Sequence, residues 1–182
     1  DSGDTEVDAI EGIGALNFLA IDDVPVASEG EELAAASIFD LVLRDGKPVF
    51  FPDDMPVEQA QREFAGRAAA CPHRWLVLVE GGEKPSLVLD VNAYLRAVFS
   101  AAGAVVDPLQ FCHRPVVVSD PDLRLGAVIA RLKAGADAQS DRPLTRDVIL
   151  LWGPQRRIIT GADILGRLFK GIGLYSSLGM SR

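Results

Sequence analysis

The pattern of apolar and polar positions divides much of the chain into short strands and amphipathic helices. Two four-residue apolar runs, Leu76 to Val79 and Val148 to Leu151, are too short for helices and are bounded by turn signals. Each run therefore predicts a buried strand. Gly81-Gly82 and Gly153-Pro154 follow the two runs and predict tight turns that lead into a further strand.

Apolar residues at helical spacing precede each of these strands. The spacing predicts one helix ahead of Leu76 and another ahead of Val148. The apolar positions are Val57, Ala60, Phe64 and Ala68 in the first helix, and Leu125, Val128, Ile129 and Leu132 in the second.

The chain contains an internal repeat. The segment KPVFFPDDMPVEQAQREFAGR, from Lys47, matches RPVVVSDPDLRLGAVIARLKAG, from Arg114. The segment LVLVEGGEKPSLVLDVNAYLRAVF, from Leu76, matches VILLWGPQRRIITGADILGRLF, from Val148. Each unit therefore runs short strand, helix, strand, tight turn, strand, helix.

A unit of about fifty residues leaves one face of its small sheet uncovered and is not easily stable alone. Two related units can bury those faces against each other about a pseudo-twofold axis. The predicted fold class is therefore α/β (α+β), with two β-α-β-β-α units. We expect an N-terminal helix and acidic linker, a first unit, a second unit and a tail, over residues 1–46, 47–105, 106–170 and 171–182.

The segments outside the repeat are less regular. Apolar spacing from Ile10 to Ile21 predicts a short helix. Residues 22–45 mix acidic and small side chains, and we expect a loop there with one short helix near residues 34–39. The glycine and serine residues after Phe169 predict a frayed tail.

Charge and hydropathy exclude several classes of protein. The net charge of −8 and the scattered basic residues argue against a nucleic-acid partner, because phosphate binding requires clustered Lys and Arg. No apolar run reaches the roughly 18 to 20 residues that span a bilayer. The sequence begins at Asp1 and not at Met, so we expect it to be a piece of a longer protein.

Two cysteines and two histidines give weak chemical signals. Cys71 and Cys112 are too few for a disulfide framework. With His73 and His113 they form C-P-H and C-H, whose spacing is poor for a zinc site. A Cys–His catalytic pair would also need an orienting group, and nothing else in the sequence indicates one. We therefore expect neither a metal site nor catalysis.

The stretch RRIITGADILGRLF, from Arg156 to Phe169, places a hydroxyl and a carboxylate at a strand-to-helix junction. The first N–H groups of a helix lack internal partners and attract anions. Thr160 suits a phosphate, and Asp163 suits the cis hydroxyls of a ribose. In the alternative interpretation Thr160 only caps the helix and Asp163 only supports the cap.

The repeated unit, with I-I-T-G-A-D-I-L at the end of its second copy, resembles the CBS domain, which occurs in tandem as a Bateman module. That family ends in a small residue, two apolar residues, Thr or Ser, two variable residues, Asp, and two apolar residues. Arg157 stands in the place of the small residue, which is a departure. The resemblance covers about Lys47 to Phe169, and the residues that fit the motif are Ile158, Ile159, Thr160, Asp163, Ile164 and Leu165.

The resemblance implies that Thr160 and Asp163 hold the phosphate and ribose of an adenine nucleotide, which would be AMP, ADP or ATP. Any magnesium would arrive with ATP. Arg114 and Arg157 either reach the phosphates or form surface salt bridges. The slot for the base would be formed by Val116, Val117 and Leu150.

The first copy of the unit lacks both polar residues of the motif. Asp90 stands where the Thr belongs, and Ala93 stands where the Asp belongs. The extra carboxylate repels phosphate and the ribose acceptor is missing. We therefore expect one nucleotide per chain.

Upstream, ALNFLAIDDVPV, from Ala15 to Val26, resembles the segment that precedes the CBS pair in bacterial magnesium and cobalt efflux proteins of the CorC and CNNM type. Their usual M-T-P-R is replaced here by VASEGEEL. This resemblance implies a cytoplasmic regulatory pair, tethered to the inner membrane through a preceding transport domain. The family also implies a homodimer through the closing helices, and a structural dimerisation module without ligand is the alternative.

Overall fold

The structure, a computed structural model, describes residues 23–134, 144 and 147–167. This part of the chain folds into nine strands and four α-helices arranged in two sheets, which confirms the predicted α/β class. None of its helices is both long enough and apolar enough to cross a bilayer. The helix predicted at 10–21 and the tail predicted at 171–182 lie outside the described residues.

The elements alternate along the chain in two similar series. The strands are β1 (Glu31–Glu32), β2 (Ile38–Arg44), β3 (Lys47–Val49), β4 (Trp75–Glu80), β5 (Lys84–Asp90), β6 (Cys112–His113), β7 (Val116–Val118), β8 (Val148–Trp152) and β9 (Arg156–Thr160). The helices are α1 (Val57–Ala69), α2 (Val91–Ser100), α3 (Leu125–Ala134) and α4 (residues 161–167).

The two series have the same connectivity. In the first unit β2 pairs in parallel with β4 across α1, β4 and β5 form an antiparallel hairpin, and α2 follows. In the second unit β7 pairs in parallel with β8 across α3, β8 and β9 form the hairpin, and α4 follows. The predicted pair of β-α-β-β-α units is therefore confirmed.

Each sheet also takes one edge strand from outside its own unit. Strand β6, which precedes the second unit, pairs with β5 of the first, so that Val88 lies opposite His113. Strand β1, which precedes the first unit, pairs with β9 of the second, so that Glu31 lies opposite Ile158. This exchange relates the two units by the expected pseudo-twofold arrangement.

The two sheets pack face to face, with helices on their outer sides. Along β4, Leu76 and Leu78 point toward the helices of the first unit, whereas Val77 and Val79 point into the space between the sheets. Val148 and Leu150 fill that same space from β8, while Ile149 and Leu151 contact the layer that contains α3. The period of two expected for strands therefore builds three connected apolar layers.

The prediction of a loop over residues 22–45 is wrong for residues 38–44, which form strand β2. A 3-10 turn at Ala35–Ser37 leads directly into this strand. Phe39 and Leu41 are buried, whereas Asp40 and Val42 are exposed, which is the alternation of a half-buried strand. Asp45 and Gly46 then turn the chain with φ values of 51° and 74°, as a tight hairpin turn requires.

The segments that begin at Lys47 and Arg114 match in sequence, but their strands β3 and β7 do not occupy equivalent positions in the two sheets. Strand β3 pairs antiparallel with β2 at the edge of the sheet, where Pro48 can be accommodated without an N–H group. It is β2 that takes the place that β7 has in the second unit, because both pair in parallel with the first strand of a hairpin. We propose that the first unit begins at Ile38.

Residues 23–33, which we call the N-terminal strap, pack on the second unit. Val26 is fully buried, and its N–H donates to the carbonyl of Leu123 at 2.9 Å. The N–H of Leu125 donates to Val24 at 2.8 Å, and that of Leu33 donates to Arg156 at 2.9 Å. The strap therefore crosses from the start of α3 to β9 before the chain enters the first unit.

Candidate functional site

Thr160 and Asp163 lie together at the junction between β9 and α4. Both the N–H and the hydroxyl of Thr160 donate to Oδ2 of Asp163 at 2.8 Å. The N–H of Asp163 lies 3.4 Å from Oγ1 of Thr160. This reciprocal arrangement is a capping box, in which each residue satisfies free groups of the other's backbone. A ligand that bound either side chain would have to share or replace these hydrogen bonds.

The guanidinium of Arg157 binds the backbone of the N-terminal strap. Its Nε donates to the carbonyl of Glu29 and its Nη2 to the carbonyl of Gly30, both at 2.8 Å. These two hydrogen bonds direct the guanidinium toward the strap. Arg157 would have to release them to reach a phosphate.

A cleft of about 1080 Å³ lies between the two units. Three of the predicted site residues, Arg114, Val116 and Val117, line the cleft. Thr160, Asp163, Arg157 and Leu150 are not among its lining residues. Leu150 is instead fully buried in the layer between the two sheets.

The register of the second sheet relates the cleft to the junction. Val148, at the start of β8, lies opposite Thr160, and Val116 lies beside Ile149. The start of β7 and the end of β9 therefore lie at the same end of the sheet, on either side of β8. Two strand spacings, about 10 Å, separate them. A ligand with the dimensions of a nucleotide can span that distance.

In the described part of the chain, the cleft is lined by three basic residues and one acidic residue, although the chain as a whole has a net charge of −8. Lys84 comes from the β4–β5 hairpin, Arg131 from α3, and Arg114 from the segment before β7. Glu80 also lines the cleft, but its carboxylate accepts a hydrogen bond from Ser86 and lies 3.9 Å from Nζ of Lys84. The lining therefore favours an anion with an apolar part. No motif in the sequence marks Lys84 or Arg131 as a residue of this cleft.

The corresponding junction of the first unit is closed by an ion pair. Asp90 caps α2 by accepting from the N–H of Ala93 at 3.0 Å, and Arg74 donates to the same carboxylate at 2.6 Å and 3.2 Å. Burial of Asp90 raises its pKa, but the hydrogen bonds from Arg74 and Ala93 and the nearby positive charge outweigh burial. The pKa of Asp90 therefore lies below its usual value.

The cysteines and histidines make separate contacts. Burial raises the pKa of the Cys71 thiol, and burial together with the charge of Asp107 raises that of Cys112 to about 12. The imidazole nitrogens Nδ1 of His73 and His113 pair with carboxylates of Glu31 and Asp147, at 3.1 Å and 2.7 Å. In the described ranges no group of three or more His, Cys, Asp and Glu side chains is placed to hold a metal ion.

No family model matches the sequence. Among solved structures, a CBS domain protein from Shewanella oneidensis MR-1 is similar to this chain, with a TM-score of 0.37 and 12% sequence identity. The similarity covers 70% of this chain and 92% of that protein.

Proposed function

We propose that the chain is a regulatory CBS pair that binds one adenine nucleotide per molecule and controls an attached or partner transporter or enzyme. The observation that carries the proposal is the positively charged cleft between the units, whose lining includes the start of β7, at the same end of the sheet as Thr160. Ligand pockets of this kind commonly have volumes of roughly 300–1,000 Å³. The cleft is large enough for a nucleotide.

The lining residues suit the parts of such a ligand. Val116 and Val117 present aliphatic surface to a base, and Arg114 can donate several hydrogen bonds to phosphate oxygens. Lys84 and Arg131 add positive charge on either side. Magnesium, where the ligand is ATP, would be bound mainly by the phosphates.

The junction would supply the remaining contacts. Thr160 is the proposed phosphate partner and Asp163 the proposed ribose partner, so binding exchanges their mutual hydrogen bonds for bonds to the ligand. Because such an exchange alters how α4 is capped, occupancy has a physical route to a change in conformation. A ligand with equal affinity for two conformations would transmit nothing.

The first unit is proposed to remain without nucleotide. Its junction contains the carboxylate of Asp90, which repels phosphate and is paired with Arg74. Ala93 offers no acceptor for a ribose. One nucleotide per chain is therefore the proposed stoichiometry.

The test of the cleft is a calorimetric titration of AMP, ADP and ATP, with and without magnesium, into the chain and into Arg114→Gln. We expect at least tenfold weaker binding of the preferred nucleotide in this variant, since an arginine–phosphate contact is lost. Arg62→Gln, on the exposed side of α1 and outside the cleft, is the matched control and should bind as the unaltered chain does. Equal affinity in all three proteins would place the ligand elsewhere.

A second candidate is a structural dimerisation module, and the exposure of the closing helices favours it. Phe99 on α2 is 87% exposed, and Leu165 on α4 is 54% exposed. Large apolar side chains at such exposure are common at protein interfaces. A homodimer through these helices is compatible with both candidates, so nucleotide binding separates them.

The regulated protein is proposed to be a cation transporter. Control of magnesium or cobalt transport, by a membrane domain in the same full-length chain, is suggested by the resemblance of residues 15–26 to the segment before the CBS pair in efflux proteins. It is tested by measuring export of both cations from cells that carry the longer chain with Asp163→Ala. Unchanged export would refute this part alone, provided that the variant has lost nucleotide binding in vitro.

A further inference from the structure

The N-terminal strap is held by the two elements that meet at Thr160 and Asp163. Arg157, on β9, donates to the carbonyls of Glu29 and Gly30 at 2.8 Å. Arg167, on α4, pairs with the carboxylate of Glu29. One strap residue is therefore bound from the strand through its backbone and from the helix through its side chain.

The backbone of the strap also packs directly against the backbone of β9. Gly30 has φ +67°, and a Cβ at this position would collide with the carbonyl oxygen of Ile158, so the strap lies directly on β9. Strand β1 continues this contact by pairing Glu31 with Ile158 and Glu32 with Arg157. The contacts end two residues before Thr160.

The contacts of Glu29 require a fixed position of α4 relative to β9. Glu29 is 8% exposed, so a change that removed Arg167 from its carboxylate would leave a buried charge without its partner. Such an arrangement is strongly unfavourable. The strap is therefore better described by two states, attached and released, than by a gradual loosening.

We infer that attachment of the strap is coupled to occupancy of the Thr160–Asp163 junction and opposes it. The inference rests on the proposed function. In the attached state β9 and α4 have the geometry in which Thr160 and Asp163 satisfy each other. A nucleotide that replaces those hydrogen bonds moves the start of α4 and favours release of the strap.

Thermodynamic linkage makes this coupling reciprocal. If nucleotide favours release, then weakening the attachment raises nucleotide affinity by the same factor. Couplings of this kind typically amount to about 5- to 150-fold. Nucleotide binding to the second unit would thereby change the position of the strap, which leads directly into the first unit.

The experiment combines calorimetric titration with hydrogen exchange of the 182-residue chain and its variants. With the preferred nucleotide from the titration, we expect faster exchange of the strap amides of Val26, Ala27 and Leu33, whose N–H groups donate to the second unit. In Arg157→Gln we expect nucleotide to bind at least fivefold more tightly. The same gain is expected in Arg167→Gln, which provides a second test if the first variant fails to fold.

Arg156→Gln is the matched control. Arg156 is the neighbouring residue on β9, but its guanidinium lies 4.4 Å from the ring centre of Trp152 and not on the strap. Its substitution should leave both affinity and strap exchange unchanged. Binding to the unaltered chain with no change in strap exchange, or a failure of both Arg157→Gln and Arg167→Gln to bind nucleotide more tightly, would overturn the coupling alone. Absence of any nucleotide binding would overturn the proposed function and the coupling with it.

Discussion

Arg74 donates two hydrogen bonds to Asp90, from Nη2 at 2.6 Å and Nε at 3.2 Å, and so closes the strand–helix junction of the first unit. The equivalent junction of the second unit has no such ion pair among its described contacts, and Thr160 and Asp163 bind each other there. The two junctions are equivalent by register, because Trp75 lies opposite Asp90 and Val148 lies opposite Thr160. The repeat therefore carries a charged, internally paired junction in one copy and a capping box in the other.

The ion pair predicts a specific dependence of stability on pH. The pKa of Asp90 is below its usual value of 3.8 in the folded chain, so its charged form stabilises the fold. That contribution is complete above the pKa of the unfolded chain and is lost as the pH falls through the lower, folded pKa. We expect the unaltered chain to lose more free energy of unfolding below about pH 4 than Asp90→Asn does.

Chemical denaturation at a series of pH values measures this difference. Asn is as good a helix cap as Asp, so Asp90→Asn keeps the cap while removing the charge. Asp90→Ala removes both and should cost about 1 kcal/mol more than Asp90→Asn. A constant difference between the unaltered chain and Asp90→Asn from pH 7 to pH 3 would contradict the role of the ion pair.

Leu150 is predicted to support the fold and not the ligand. It is fully buried between the sheets, so Leu150→Ala should lower the free energy of unfolding by about 2–5 kcal/mol. Urea denaturation is the measurement, with Val117→Ala as the control. Because Val117 is 40% exposed, its truncation should cost about 0.5 kcal/mol or less. Equal costs at the two positions would refute the assignment.

Phe99 is predicted to stabilise a dimer. Truncation of this exposed ring in Phe99→Ser should shift the sedimentation of the chain from dimer toward monomer, because the closing helices would lose apolar contact area. Val42→Ser, at a position that is 59% exposed on β2, is the control and should leave the association unchanged. A chain that is monomeric before any substitution would exclude the closing helices as the interface.

The two thiols are predicted to react at different rates in the folded chain. Cys112 is buried and the pKa of its thiol is about 12, while Cys71 is only partly buried and its pKa is raised less strongly. At pH 8 iodoacetamide should therefore modify Cys71 first and leave Cys112 intact, because the thiolate is the reactive form. Mass spectrometry of alkylated peptides distinguishes the sites. Modification of both at equal rates should occur only in denaturant.

Local patterns in the sequence identified much of the repeat. The apolar runs from Leu76 and Val148 are strands, and the amphipathic spacing after Val57 and Leu125 forms helices, because these signals lie within each element. Strand β2 also has such a signal, in the alternation of Phe39, Asp40 and Leu41 and in the turn residues that follow it. We predicted a loop there because acidic and small residues dominate the surrounding segment.

The cleft could not be predicted from local sequence patterns. Lys84 and Arg131 reach it from a hairpin and a helix that are far apart in sequence, and their placement depends on how the two units pack. Arg157 stands in the place of the small residue of the CBS motif, and its role follows from Glu29 and Gly30, more than a hundred residues upstream. The pairing of Thr160 with Asp163 could be predicted from the sequence because the two residues are only three positions apart.

The most direct measurement is a calorimetric titration of nucleotide into the unaltered chain, Asp163→Ala and Asp90→Asn. The two variants alter equivalent strand–helix junctions, so each controls for the other. We predict one site per chain, lost in Asp163→Ala and retained at the same affinity in Asp90→Asn. Two sites per chain, or binding that survives Asp163→Ala, would contradict the proposal, and no heat or thermal shift with any adenine nucleotide would leave a structural module with a capped helix.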